Sequence, residues 1–227
     1  MKKLMFVMFC LVTVSSFGQF KLGIQAGYQS AQSIDKGNDQ QYYSLSSIST
    51  FEAGIVAEQP LSKHLFFETG LTYAEKGNSK SPTIYATSGS TTGVGSTTTT
   101  KIDYLQIPLN LAYKTDLNKN VKLIIESGFY IARGISGSEK GTDKSNLGVI
   151  TTVDKKIQFT SNNDNSSNNT LIKPFDLGYN FNAGIEWKKF QFMANFSRGF
   201  GNIYPVGTTS FSNQTIGITV AYLMPWK

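Results

Sequence analysis

The chain has 227 residues, of which 16% are charged and 13% aromatic, with one Cys, one His and a formal net charge of +6. That length fits one domain or a small pair, and the aromatic content excludes intrinsic disorder. A lone Cys and a lone His exclude a disulfide scaffold, a Cys-based zinc site and a His cluster, and the mild, scattered positive charge does not point to nucleic acid.

Met1-Lys2-Lys3 is a short basic start, Leu4 to Val14 is an apolar run, and Ser15, Ser16 and Gly18 supply small residues. This is the three-part pattern of a secretory signal peptide. Residues 1–18 are expected to be removed, with cleavage after Gly18 or Gln19, leaving 19–227 as a single domain. The apolar run is too short for a transmembrane helix, which needs about 20 residues. Cys10 lies inside the run rather than at its end, so it reads as a plain apolar residue and not as a lipoprotein site. No later segment is long and apolar enough for a spanning helix. The export signal then leaves a soluble exported protein, a surface protein or an outer-membrane barrel.

From there the chain alternates with period two, the signature of strands. Phe20, Leu22, Ile24, Ala26 and Tyr28 alternate with Lys21, Gly23, Gln25 and Gly27. Phe51, Ala53, Ile55 and Ala57 alternate with Glu52, Gly54, Val56 and Glu58, and Phe67, Thr69, Leu71 and Tyr73 with Glu68, Gly70, Thr72 and Ala74. Leu105 to Tyr113 and Val121 to Phe129 repeat the pattern, the second with Lys122, Glu126 and Gly128 on its polar side. Phe175 to Trp187 is the cleanest case, with every odd residue apolar or aromatic and every even one polar or Gly. Phe190 to Ser197 and Thr215 to Tyr222 bring the count to eight strands.

The connections alternate as well. Gln59–His64, Thr115–Asn120 and Lys188-Lys189 are short, whereas Ala31–Ser46, Ser79–Thr100, Gly134–Lys173 and Gly201–Ser212 are long. Two of the long ones carry low-complexity stretches, Thr91–Thr100 and Asn162–Thr170, expected to be solvated and mobile. Strict alternation of short and long connections predicts an all-β, eight-stranded antiparallel up-and-down transmembrane β-barrel with short periplasmic turns and long extracellular loops.

Periodicity alone does not say which face is wet, since a soluble lipocalin-like barrel alternates with the apolar face inward. Three features favour the inverted arrangement. The polar face is rich in Gly, as the narrow interior of eight strands requires. Aromatics gather at both strand ends, with Phe20, Phe67, Tyr113, Trp187, Phe190 and Tyr222 at the short-turn end and Tyr28, Tyr73, Phe129 and Phe175 at the other. Strands of about 9–13 residues suit a tilted crossing of a bilayer. The inward face then carries a structural polar network of Lys21, Glu52, Glu68, Lys122, Glu126, Asp176 and Glu186. Lys21, Glu58, Lys122 and Glu186 are expected near the periplasmic mouth, Lys76, Asp103 and Asp176 near the outer one, and Glu52, Glu68 and Glu126 between. Three carboxylates in one narrow section need help to stay charged, and Lys122 is expected to pair with Glu68 or Glu126. Pro108 donates no ladder bond, so a local bulge or missing bond is expected there without a register flip.

The stretch Tyr104, Leu105, Gln106, Ile107, Pro108, Leu109 resembles the PorT-like outer-membrane β-barrel family of Bacteroidota. Gly70 to Tyr73 followed by Lys76-Gly77, Gly128-Phe129-Tyr130, Asp176-Leu177-Gly178 and Gly217 to Tyr222 are similar to that family too. The family motif falls on Tyr104, Leu105, Ile107, Pro108 and Leu109. The resemblance implies an outer-membrane barrel. Some members support protein secretion, a role that does not transfer on motif alone.

The expected function is non-enzymatic: an outer-membrane anchor or scaffold whose loops or rim contact a partner. Alternatives are a component supporting secretion, a small lipid-modifying enzyme and a lipocalin-like binder. An enzyme would need a nucleophile and base at one rim, and His64 in a short turn beside Ser62 and Lys63 has no adjacent acid. Eight strands leave no open channel. Asn162–Asn165 matches no calcium loop, and the Asn-X-Ser/Thr matches at Asn165, Asn168, Asn195 and Asn213 read as chance. No cofactor or metal is expected. The partners expected are outer-membrane lipid, the barrel-assembly machinery and an unidentified protein, with the chain itself monomeric.

Overall fold

The computed structural model describes residues 20–35, 43–82, 95–144, 149–162, 169–205 and 210–226. Residues 1–18, expected from the sequence to be a leader, and parts of both low-complexity stretches, 91–94 and 163–168, lie outside the described residues. The chain is all-β, with strands β1 (Lys21–Asp35), β2 (Tyr43–Ser46), β3 (Ile48–Pro60), β4 (Leu65–Pro82), β5 (Gly95–Asp116), β6 (Val121–Lys144), β7 (Ile150–Phe159), β8 (Thr170–Ile172), β9 (Phe175–Trp187), β10 (Phe190–Gly199) and β11 (Phe211–Pro225).

Eight of them form one closed cycle of antiparallel pairings: β1–β3–β4–β5–β6–β9–β10–β11 and back to β1. They contain the eight stretches that alternate in the sequence. The cycle closes along fifteen residue pairs between β1 and β11, from Lys21 opposite Pro225 to Asp35 opposite Phe211. Closure leaves no unpaired edge within the ring.

Each short connection has its own reason to turn. Lys188 takes a φ of 59° in the two-residue β9–β10 hairpin, a positive value at the first central position that suits the right-handed twist of the flanking strands. Between β5 and β6, the Asn118 side chain accepts hydrogen bonds from the Asn120 and Val121 amides at 2.9 and 3.0 Å. Between β3 and β4, the Leu61 amide reaches Leu65 O at 2.8 Å and Ser62 Oγ accepts from the Leu65 amide at 3.1 Å. The start of β1 and the end of β11 meet at this same end, where the Trp226 amide donates to Phe20 O at 2.8 Å.

At the opposite end the strands run on beyond the expected 9–13 residues. β4, β5 and β6 have 18, 22 and 24 residues. The expectation of loop over Ser79–Thr100 and Gly134–Lys173 is thus corrected in part. Residues 95–100 pair with β6, and Thr98–Thr100 with β4 as well, burying Thr98 and Thr100, and β6 pairs onward with β7 through Ser138–Lys144. Thr and Ser are compatible with a strand once neighbours supply the ladder, and their low complexity hid the alternation. The β5–β6 register shifts at Asp103/Tyr104, where Tyr104 faces Gly134 but Asp103 faces Ser136. This bulge marks where the ring ends and the outer extension begins.

Pro108 costs a local gap in the ladder. Thr69 pairs with Leu109 and Thr72 with Gln106, with the pairing interrupted between them and the register unchanged. Thr69 Oγ1 donates to Pro108 O at 2.7 Å.

Candidate functional site

The ring is apolar outside and polar inside. Large apolar side chains stand exposed on its outer face, among them Ile24 at 64%, Phe129 at 61% and Ile218 at 65%. Their neighbours one position along face inward, buried or half-buried: Gly23 and Gln25, Gly128 and Tyr130, Gly217 and Thr219. Leu105, Ile107 and Leu109 of the motif point outward, while Tyr104 is fully buried inside and Gln106 nearly so. Aromatic pairs mark both ends of the outer face: Phe190 lies 5.0 Å from Tyr222 and His64 5.8 Å from Tyr113 at the short-turn end, with Phe51 5.5 Å from Tyr73 and Phe129 6.1 Å from Phe200 toward the other.

Inside, the side chains stack in three layers. At the short-turn end Lys114 Nζ, fully buried, lies between two carboxylates, donating to Glu58 and, at 2.6 Å, to Glu186. Lys21 approaches the same two acids at 2.9 and 3.4 Å. Gln191 Nε2 donates to both as well, at 3.1 and 3.4 Å. Below the cations lies the Phe66 ring, 5.0 Å from Lys114 Nζ and 6.0 Å from Lys21 Nζ. Phe66 packs with Ala112, Ile124 and Met193.

The middle layer surrounds a cavity of about 60 Å³ whose lining includes Glu52, Glu68 and Glu126. Glu126 accepts from the amide groups of Asn110 and, at 2.8 Å, Asn182, and Glu52 from the Thr219 hydroxyl at 2.6 Å. At the outer end Lys76 Nζ sits 3.3 Å from Asp176 Oδ2 and 3.9 Å from the Tyr130 ring centre. Asp176 also accepts from the Tyr130 hydroxyl at 3.1 Å and Asn213 Nδ2 at 2.9 Å. Over this pair lies an apolar cap of Ile102, Tyr104, Tyr130, Ala132, Ile172 and Ile203, which brings β8 and the segment after β10 across the opening. Burial in this cap, with the Glu139 carboxylate acting in the same direction, pushes the Tyr204 phenol up to about 12.

The structure therefore brings Lys21 and Glu186 together at one end, Glu52, Glu68 and Glu126 around one cavity, and Asp176 with Lys76 at the other end. Lys122 has a different partner from the expected Glu68 or Glu126. It is the second residue of β6, at the short-turn end, partly exposed and 3.9 Å from Asp116, and the inner cation is Lys114. The sequence does carry the signal for Lys114: the β5 alternation that buries Asn110 and Ala112 continues to it. Asp103 is bonded to the Ser136 hydroxyl at the bulge and stays apart from the Lys76 pair.

Glycines make room for this filling. A Cβ on Gly178 would lie 2.5 Å from the Tyr130 ring, and one on Gly184 would lie 2.7 Å from Met193 Sδ. In the β3–β4 turn, His64 Nδ1 is 3.0 Å from Lys114 O, so its ring ties the turn to β5. Among the described residues no three His, Cys, Asp or Glu side chains converge on a point that could hold a metal ion.

The solved structures similar to this chain include Neisserial surface protein A, at 13% identity and a TM-score of 0.41, covering 88% of this chain and 96% of that one. OprG from Pseudomonas aeruginosa, at 11% identity and a TM-score of 0.47, covers 92% of this chain and 97% of its own. The outer membrane protease OmpT from Escherichia coli, at 8% identity and a TM-score of 0.45, covers 93% and 100%. No curated protein matches the chain at a significant level. A family match extends over residues 15–204, through β10 and the segment that caps the ring. With that match spanning most of a chain whose eight strands close on themselves, apolar face out, the protein belongs to the outer membrane protein beta-barrel domain family.

Proposed function

We propose that the protein is an eight-stranded transmembrane barrel of the outer membrane, exported by a cleaved leader, with its short turns in the periplasm and its long connections outside. It works without catalysis, as an anchor or scaffold whose outer loops or rim hold a partner. The observation that carries this reading is the filled interior. The Lys114 cluster at one end and the apolar cap at the other leave a cavity of only about 60 Å³ between them. A solute has no path through, so the surface open to a partner is the outer one. The side chains of the PorT-like motif are taken up by the fold itself, Tyr104 within the cap and Leu105, Ile107 and Leu109 on the apolar exterior. They lend no separate support to a role in secretion.

A photo-crosslinking amino acid at exposed Thr151 or Ser161, compared with one at Ser62 in a short turn, tests the reading in living cells. A discrete crosslinked protein from the outer positions is expected, together with no ion conductance of the purified barrel in planar bilayers. Steady single-channel currents, or crosslinks from Ser62 alone, would refute it.

A further inference from the structure

Charge is distributed unevenly over the two ends of the ring. The three short turns hold Lys63, Lys119, Lys188 and Lys189 and no acid, and all four lysines are exposed. The acids nearest to them are already engaged: Glu58 and Glu186 bind Lys114 and Lys21 inside, and Asp116 faces Lys122. Among the described residues none of the four turn lysines is in an ion pair.

Their position matters as much as their charge. Each turn lies just beyond the outward aromatic belt, where Tyr113 is 50% and Trp187 45% exposed. Lys188 Nζ stands 5.1 Å from the Trp187 ring centre. The Lys188 amide donates to Asn120 O at 3.3 Å, joining two of the turns. Between these turns is a hollow of about 150 Å³ lined by Asn118, Lys119, Asn120, Lys122 and Lys188, together with the exposed Asp116 and with Glu186, which is held by Lys114 and Lys21. Aromatic belts sit at headgroup depth, and long cationic side chains reach from there to the surface. The anion at that depth is a lipid phosphate.

We infer that the short-turn end binds the phosphate headgroups of anionic phospholipids in the adjoining leaflet, with Lys63, Lys119, Lys188 and Lys189 as the contacts and the Asn118–Lys188 hollow as the best-formed seat. The inference rests on the transmembrane reading above and goes further, because a barrel can span a bilayer with no headgroup preference. It makes this end of the molecule selective for an anionic leaflet and helps to set the depth and direction of the barrel.

The chain carries two Trp residues, Trp187 and Trp226, and both lie at this end. Their fluorescence therefore reports on the lipid beside the lysines. The full mature protein is reconstituted in phosphatidylcholine vesicles containing a minor fraction of either phosphatidylglycerol or phosphatidylcholine brominated near the glycerol. Quenching by brominated phosphatidylglycerol should exceed that by brominated phosphatidylcholine about two-fold at low salt, and fall to parity at high salt as exposed charges are screened. The excess should vanish in a Lys63→Gln, Lys119→Gln, Lys188→Asn, Lys189→Gln variant, with Asn chosen at 188 because it tolerates a positive φ. A Lys119→Gln, Lys189→Gln pair, which leaves the hairpin backbone untouched, should halve the excess. Equal quenching by the two lipids, or an excess that survives in both variants, overturns the inference while leaving the spanning barrel intact. If neither lipid quenches and the emission is that of Trp in water, the transmembrane reading falls and the inference with it.

Discussion

Lys114 offers the sharpest test of how the interior is held. Its ammonium group is fully buried and serves two acids, Glu58 and Glu186, which are themselves nearly inaccessible. Lys114→Met keeps the length of the side chain and removes the charge. Breaking a buried ion pair by deleting one partner costs about 3–5 kcal/mol, because the remaining charge is left without compensation. Here the loss falls at the low end, about 3 kcal/mol, since Lys21 at 2.9 Å and Gln191 at 3.1 Å still contact Glu58. Lys122→Met serves as the control: its contact with Asp116 is 3.9 Å long and exposed, so the cost is about 0–1 kcal/mol. The assay is urea unfolding of the barrel refolded in vesicles, followed by Trp emission and by the mobility shift of unboiled samples. Adding Glu58→Gln to Lys114→Met should recover part of the loss, because it removes the charge that the first change stranded. Equal destabilisation by Lys114→Met and Lys122→Met, or an additive double variant, would show that the buried cluster does not hold the short-turn end.

The remaining expectations concern the outer face, the tight interior and the loops. Leu109→Arg and Phe181→Arg, each placing a charge on the exposed apolar face, should lower stability by about 2–4 kcal/mol at the midplane. Folding yields equal to the parent's for both would mean the face is not in lipid. Gly178→Val should cost about 1–3 kcal/mol through overpacking against Tyr130, and Tyr130→Leu in the same chain should recover part of it in the same urea assay. Deleting 163–168 should leave a heat-modifiable barrel, as small polar loop segments tolerate such changes. Deleting 91–98 should shorten the outer extension while the ring survives, because residues 95–98 pair with β6 beyond the bulge, and Thr98 with β4 as well. Hydrogen exchange at the ring amides of β5 reads the difference, and loss of protection around Asn110 would count against a ring that is independent of its extension.

The sequence by itself determined the eight ring strands, their order and which side chains face inward. Alternation with period two is a local property, and from Phe175 to Trp187 it admits one reading of the two faces. It also set the short and long ends, because turn length is written in the chain. Pairing of acids with cations inside the ring was not legible in the same way. Lys122 and Lys114 both lie on inward positions, and only the stagger of β5 against β6, with Asp116 opposite Lys122 and Tyr113 opposite Ile125, decides which one reaches the interior. Stagger is a property of neighbouring strands, so a count along each strand separately does not say which cation the inner acids meet. The outer extension and the cap were likewise decided by tertiary structure. Thr and Ser at 96–100 have no apolar alternation to announce a strand, and they form one because β6 supplies a ladder along the whole stretch and β4 a second along Thr98–Thr100. Ile172 and Ile203 come from segments far apart in the chain that alternate with nothing, and become core only when closure of the ring gives them an opening to fill.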